Sequence, residues 1–304
     1  MNDQVMATMV MALRVVVPPH PLIGHWLGVL RDRHTPGSLY ASATAELGRW
    51  LTYEAVRDWL PHRRIQLESP LAAAEADVVD PAVPLLALPL LTAGLGLWQG
   101  GQTVLPSAQV LHLQESLGVI TPPVGPIPPR CGVLLFLAEL GDGESLLQLH
   151  GRALTVNDQV MATMVMALRV VVPPHPLIGH WLGVLRDRHT PGSLYASATA
   201  ELGRWLTYEA VRDWLPHRRI QLESPLAAAE ADVVDPAVPL LALPLLTAGL
   251  GLWQGGQTVL PSAQVLHLQE SLGVITPPAG PIPPRCGVLL FLAELGDGES
   301  LLQL

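Results

Sequence analysis

The sequence predicts an α/β fold built twice over. Residues 2–149 recur as residues 157–304 at a constant offset, and a single pair differs between them, Val124 against Ala279. Within each copy, helical apolar patterns alternate with short apolar runs, as expected of strands covered by helices. Residues 81–114 hold no charged residue, which suits a strand buried on both faces. A period of this length matches a whole small domain rather than a solenoid unit. Two domains are therefore expected, copy 1 over 1–149 and copy 2 over 157–304, joined by a linker over 150–156.

The elements follow in order along copy 1. Arg14-Val-Val-Val, stopped by Pro18 and Pro19, reads as a β-branched strand. From His20 to His34, Leu22, Ile23, Trp26, Leu27 and Leu30 keep a helical period. Thr35-Pro-Gly-Ser38 is a turn, with Ser38 as candidate N-cap of a second helix. That helix runs to about Leu60, carries Ala43, Leu47, Trp50, Leu51 and Val56, and ends at Pro61. Arg64–Ser69 alternates apolar and polar residues, the mark of a half-buried strand. Residues 71–81, rich in alanine and acids, predict a loop or a surface helix. Val83–Leu91 is a continuous apolar run, typical of a central parallel strand. A small-residue turn from Thr92 precedes a helix predicted over Trp98–Leu105. Ala108–Leu113 and Val133–Ala138 read as strands. Residues 117–129 are rich in Pro and Gly without periodicity, and Gly141-Asp-Gly143 is a turn.

Composition excludes several functions. The formal charge is −9, and all 17 basic residues are arginine. No basic stripe emerges, which disfavours nucleic-acid binding through counterion release. Prolines and glycines punctuate the uncharged stretch, so no membrane span of about 20 apolar residues is expected. The start lacks the positive region of a secretory leader, and a cytoplasmic location is expected. Cys131 and Cys286 occupy one position in the two copies and open an apolar run. Without a C-x-x-C pairing or a nearby base, each reads as a small buried hydrophobe rather than a reactive thiol or an inter-copy disulfide. His20, His25, His34, His62 and His112 lack zinc-site spacing, so no metal site is expected and His20 reads as structural. Glu54 and Arg57-Asp58 form either a buried polar network or a solvated face, with scaffolding or dimer contact favoured over catalysis. Trp26, Trp50, Trp59 and Trp98 suit core and interface packing.

One element suggests chemistry. Around Thr92-Ala93-Gly94-Leu95-Gly96, and around Thr247-Ala248-Gly249-Leu250-Gly251 in copy 2, a buried strand passes through small residues into a helix. Glycines there let backbone N–H groups approach an anion, and the helix start adds a favourable dipole. The segment has neither the third glycine and acid of a dinucleotide fingerprint nor the Gly-Lys-Ser/Thr ending of a P-loop.

Further motifs stand around it in order. His20-Pro-Leu-Ile, Leu30-Arg-Asp, Glu46-Leu-Gly-Arg-Trp-Leu-Thr-Tyr-Glu-Ala, Arg57-Asp-Trp-Leu-Pro and Pro89-Leu-Leu-Thr-Ala-Gly-Leu-Gly-Leu together resemble uracil phosphoribosyltransferase. The resemblance is closest to the cyanobacterial forms and covers about residues 12–113 and 167–268. It implies two tandem copies of an incomplete type I phosphoribosyltransferase-like, Rossmann-like domain. It implies pyrimidine salvage, in which uracil and phosphoribosyl pyrophosphate give UMP and pyrophosphate with Mg²⁺. Thr92, Ala93, Gly94 and Gly96, with Thr247, Ala248, Gly249 and Gly251, would be the remnant of the pyrophosphate loop. Such chemistry demands a clamp on pyrophosphate and a divalent cation as the oxocarbenium-like ribose forms.

Three departures from the family pattern shape the expectation. Thr92 and Thr247 replace an arginine, which loses the bidentate positive fork suited to phosphate. At the place of the phosphoribosyl-binding loop stands Phe136-Leu-Ala-Glu-Leu-Gly-Asp-Gly-Glu-Ser, where Glu139, Asp142 and Glu144 would repel pyrophosphate. The uracil-reading segment is found in neither copy. The expected function is therefore a degenerate homologue, weakly active or inactive, with no catalytic residue assigned. The alternatives are a non-catalytic assembly partner of a full-length paralogue, or a fused or mis-assembled gene product. Missing strands leave apolar edges, so an intramolecular pseudo-dimer or homo-oligomer is expected.

Overall fold

A computed structural model of the chain describes residues 18–137 and 173–293, apart from 71, 92, 117–118, 122–124, 126–127, 129–130 and their equivalents 226, 272–273, 277, 279 and 284–285. The strand expected at residues 14–17, the linker, the turn at 141–143 and the differing pair Val124 and Ala279 all lie outside the described residues.

Copy 1 opens with two helices, α1 (Pro21–Arg31) and α2 (Gly37–Val56). Pro21 starts α1 where its missing N–H costs nothing, and the His20 side chain caps it by accepting the Leu22 N–H at 3.1 Å. Helix α2 starts one residue before Ser38, and no side chain caps it. Ser38 therefore lies inside the helix and not at its cap. The fixed φ of Pro36 sets the entry there.

Next comes an antiparallel arm, β1 (His62–Glu68) paired with β2 (Ala73–Val79), in register from His62 opposite Val79 to Glu68 opposite Ala73. The β2 strand corrects the loop or surface helix expected for residues 71–81. Alanine and glutamate favour helix locally, but tertiary pairing overrides that preference. The arm is laddered on one edge and packed by a helix of the other copy.

The rest of copy 1 is a parallel sheet in the order β4-β3-β7. Its strands are β3 (Leu85–Pro89), β4 (Gln109–Val110) and β7 (Gly132–Phe136), with helix α3 (Ala93–Val104) crossing from β3 to β4. Every residue of β3 is buried, as its unbroken apolar run requires. A small hairpin, β5 (Gln114–Ser116) with β6 (Val119–Thr121), occupies part of the Pro/Gly-rich stretch. Cys131 is free and half-buried, packed beside Leu86, Leu88 and Leu113.

Helix α3 begins at Ala93, five residues before the expected Trp98. Four glycines in ten residues read locally as a turn, yet they let α3 lie close to its neighbours. A Cβ on Gly94 would stand 2.1 Å from the Phe136 carbonyl oxygen, and one on Gly100 would stand 1.7 Å from that of Ala45.

Copy 2 repeats the plan. It comprises α4 (Pro176–Arg186), α5 (Gly192–Val211), β8 (His217–Glu223), β9 (Ala228–Val234), β10 (Leu240–Pro244), α6 (Ala248–Val259), β11 (Gln264–Val265), β12 (Gln269–Ser271), β13 (Val274–Thr276) and β14 (Gly287–Phe291). Its parallel sheet runs β11-β10-β14. The fold is thus two tandem copies of one α/β plan, as the sequence predicts.

The main apolar cluster draws on both copies, with Trp50, Tyr53 and Val56 packed together with Trp205, Tyr208 and Val211. Each arm reaches across, so that β2 packs on α4 and β9 packs on α1. The reach is tied down at both ends. The Arg188 N–H donates to the Glu68 carbonyl at 2.9 Å, and the Arg33 N–H donates to that of Glu223 at 2.8 Å. Arg188 also forms an ion pair with the Glu68 carboxylate, as Arg33 does with Glu223 at 3.4 Å.

Candidate functional site

Two places combine polar chemistry with fixed geometry. The first is the end of the parallel sheet, where β3 passes into α3. Thr92 lies outside the described residues; its counterpart Thr247 is exposed and precedes α6, and the Leu246–Thr247 peptide is cis. Gly94 and Gly96 lie inside the first turns of α3, as Gly249 and Gly251 do in α6, rather than in an open loop. Their backbone amides are partly committed. The Gly94 N–H donates to Leu90 O and the Gly249 N–H to Leu245 O, each at 2.9 Å. The Leu250 N–H donates to Thr247 O at 3.2 Å. Gly94 is held against Phe136, so its closeness to β7 serves packing. Ala93 and Ala248 are the first residues of their helices, where free amides are usual.

Glu139, Asp142 and Glu144 lie outside the described residues. Among the described residues no group of three or more His, Cys, Asp or Glu is placed to hold a metal ion, so no donor set for Mg²⁺ is assigned from them. No helix among the described residues is long and apolar enough to cross a membrane.

The second place is the seam between the copies, and here the polar residues converge. Tyr208 lies between two rings of copy 1. It stacks on His20 at 3.8 Å and on Trp50 at 4.5 Å, with planes within 4°. Tyr53 lies likewise between His175 and Trp205 of copy 2, at 3.7 and 4.4 Å. The two stacks meet edge to face, Trp50 on Trp205 at 5.9 Å and Tyr53 on Tyr208 at 5.4 Å. Such pairs add about 0.5–1.5 kcal/mol each beyond their buried area.

Four charges close the seam. Arg57 donates to Glu209 at 2.6 Å and to Glu54 at 3.2 Å. Arg212 donates to Glu54 at 2.5 Å and to Glu209 at 3.2 Å. The Tyr53 hydroxyl donates to Glu209 and that of Tyr208 to Glu54, each at 3.0 Å. Burial pushes both carboxyls upward, but the arginine bonds and charges outweigh it and hold them below the ordinary carboxylate range. Burial raises both tyrosine hydroxyls well above their usual range, and the facing carboxylates add to this. Both tyrosines therefore remain protonated donors. Of the alternatives open for Glu54 and Arg57, the half-buried network is what forms. Asp58 is exposed and takes no part in it.

His20 and His175 fix the edges of the seam. Each accepts a helix-start N–H on Nδ1, so the proton must sit on Nε2, which donates across the seam to Tyr208 O at 3.0 Å or Tyr53 O at 2.9 Å. Burial lowers both rings to about 4, against a smaller upward pull from those carbonyl bonds. A folded value below the unfolded 6.5 means that the unfolded chain binds the proton better. Stability from these rings is complete above pH 6.5 and drains away as pH falls toward 4. The drop should reach on the order of 3 kcal/mol for each ring. Urea titrations between pH 7 and 4 should show it, and His20→Gln with His175→Gln should flatten the profile in that window.

Sequence reasoning singled out the sheet end and placed His20, Glu54 and Trp50 as structural. It offered dimer contact for Glu54 and interface packing for Trp50, but missed that His20 joins them and which residues of copy 2 they meet, because only the juxtaposition reveals it.

The family model described as uracil phosphoribosyltransferase matches residues 17–117 and again 172–272. A uracil phosphoribosyltransferase of Nostoc is 56% identical over 105 residues, which cover 34% of this chain and 49% of that protein. One of Synechococcus elongatus is 45% identical over 151 residues, covering 50% of this chain and 64% of that protein. A chloroplastic one of Arabidopsis thaliana is 46% identical over 102 residues, covering 34% of each. The chain thus spans between about a third and two thirds of the length of these relatives. The family model matches both copies, and in each it includes the seam residues and the sheet end. The chain belongs to the uracil phosphoribosyltransferase family.

Proposed function

We propose that this chain is a degenerate uracil phosphoribosyltransferase homologue of the cytoplasm, weakly active or inactive in making UMP from uracil and phosphoribosyl pyrophosphate. One observation carries the reading. At the sheet end, where the family's pyrophosphate would be clamped, threonine replaces arginine in both copies, and the amides of Gly94 and Gly249 are already bonded within the chain. A pyrophosphate leaving group needs preorganised positive charge, and a hydroxyl supplies one hydrogen bond without it. Uracil, phosphoribosyl pyrophosphate and Mg²⁺ remain the substrates and cofactor to be tried.

A second reading has its own observation. The residues that form the seam lie within the matched region and pair between the two copies, which supports reading this part of the fold as an assembly module. As such it would serve as a partner for a full-length paralogue.

A radiometric assay of UMP formation with uracil, phosphoribosyl pyrophosphate and Mg²⁺ tests the first reading. Turnover is expected to fall at least about a thousandfold below that of a full-length relative, the scale on which lost charge stabilisation acts. Thr92→Arg with Thr247→Arg is expected to raise any residual rate. Turnover equal to a full-length relative would overturn the proposal.

A further inference from the structure

Away from the stacked rings, the crossing of an arm over the other copy's first helix leaves a cleft. Where the β1–β2 arm lies on α4 the cleft holds about 300 Å³, the lower end of the range for small-molecule sites. Gly179, Leu182 and Arg186 form its helical wall, at a spacing that puts them on one side of α4. Gly179 lets the arm sit close, with the Asp77 carbonyl oxygen 3.4 Å from where a Cβ would stand. Arg64, Glu75 and Asp77 form the arm wall, Arg64 opposite Asp77 in register.

The two walls carry opposite charge. On the arm, Arg64 is shared between two carboxylates, 3.2 Å from Asp77 and 3.7 Å from Glu75, which leaves one negative charge in surplus. The longer separation is beyond hydrogen-bonding reach, so the Glu75 carboxylate keeps acceptor capacity. On α4, Arg186 makes no ion pair or hydrogen bond among the described residues. The same set recurs at the other crossing. Arg219 lies 3.1 Å from Asp232 and 3.7 Å from Glu230, and Asp232 lies against Gly24. Arg31 ends α1, again without an ion pair or hydrogen bond among the described residues.

We propose that each crossing is a binding site for a short zwitterion, one whose ammonium and carboxylate stand at opposite ends. The unengaged guanidinium of Arg186 or Arg31 takes the carboxylate through its planar fork. The ammonium lies on the acidic pair of the arm, and the stem between them on Leu182 or Leu27. A phosphate fits less well, because the carboxylates of the arm oppose a second negative end. An ω-amino acid and a dipeptide share the chemistry that fits. A molecule bound there touches the arm of one copy and the first helix of the other, so binding also holds the arm in its seat. The inference holds whether or not the chain turns over uracil.

Calorimetric titration of the full chain with δ-aminovalerate and with alanyl-leucine tests it. At least one is expected to saturate two sites per chain, and the one that does identifies the source. Pentanoate and pentylamine, which lack one end, and N-acetyl-alanyl-leucine and alanyl-leucine amide, which block one, are expected to bind at least about tenfold more weakly. Arg31→Gln with Arg186→Gln is expected to weaken binding as much, with the thermal melt in the absence of probe unchanged. The blocked probes keep the proposal testable should that variant fail to fold. Blocked probes that bind as well as free ones, undiminished binding by the folded double variant, or no binding of either probe at millimolar concentration would each overturn it.

Discussion

Trp50→Ala should cost about 3–5 kcal/mol of unfolding free energy, and Trp205→Ala in the other copy should cost the same. Trp50 is 1% exposed, its face covered by Tyr208 and its edge by Trp205. Removing it leaves a hole whose walls belong to both copies, and rigid stacked rings collapse poorly into such a space. The equality is the stronger part of the prediction. If the copies share the seam, the two positions are one position seen from opposite sides, and urea midpoints should shift alike. Because the indoles touch, the double replacement should depart from the sum of the singles by about 0.5–3 kcal/mol. Each indole Nε1–H is also buried without a hydrogen-bond partner among the described residues. Trp50→Phe removes that orphaned donor, so its cost should be less than about half that of the alanine change. Costs differing by several kcal/mol between Trp50→Ala and Trp205→Ala would disprove a shared seam.

Gly100→Ala should be at least as damaging, with a loss of about 4 kcal/mol or more and poor soluble yield. Alanine is ordinarily the better helix former by about 1 kcal/mol. Here the new Cβ would stand 1.7 Å from the carbonyl oxygen of Ala45. That atom is backbone in the middle of α2 and cannot swing aside, so α2 and α3 must separate. Separation would open contacts that Leu47, Trp98 and Phe136 share in the core. Gly37→Ala is the control, since Gly37 begins α2 with nothing within 4 Å of its would-be Cβ. It should be neutral or stabilising by about 0.4–1 kcal/mol. Thermal melts of the two variants side by side would separate steric loss from helix propensity.

Much of the fold was legible because its elements announce themselves locally. The period of Leu22, Ile23 and Leu30 marks α1, and the unbroken run through Leu85–Pro89 marks the central strand. The alternation at Ile65 and Leu67 marks β1. One element was read wrongly and another too short, for opposite reasons. Strand β2 is composed of helix-favouring alanine and glutamate, and only its pairing with β1 and its seat on α4 make it a strand. Helix α3 holds glycines that look like a turn, and only close packing against β7 and α2 repays their entropy.

The candidate site divided in the same way. The sheet end was found from its order of strand, small residues and helix, a short-range pattern. A pseudo-dimer was expected in outline, with dimer contact among the readings of Glu54 and Arg57, but the pairings that make the seam escaped, although His20, Trp50, Tyr53, Glu54 and Arg57 all stand in recognisable motifs. A residue's partner 155 positions away is invisible to periodicity, and a repeat conceals it further by supplying an identical residue at each end.

The crossed arms and shared ring stacks bear on how such a gene ages. After a duplication one copy is commonly spare, free to drift while its twin keeps working. Here neither copy is spare, because each half of every seam contact is encoded in a different copy. A change at Tyr53 is felt by His175 and Trp205 as directly as by its own neighbours. The two halves can drift only together, as a lock and key cut from one pattern must be recut in pairs.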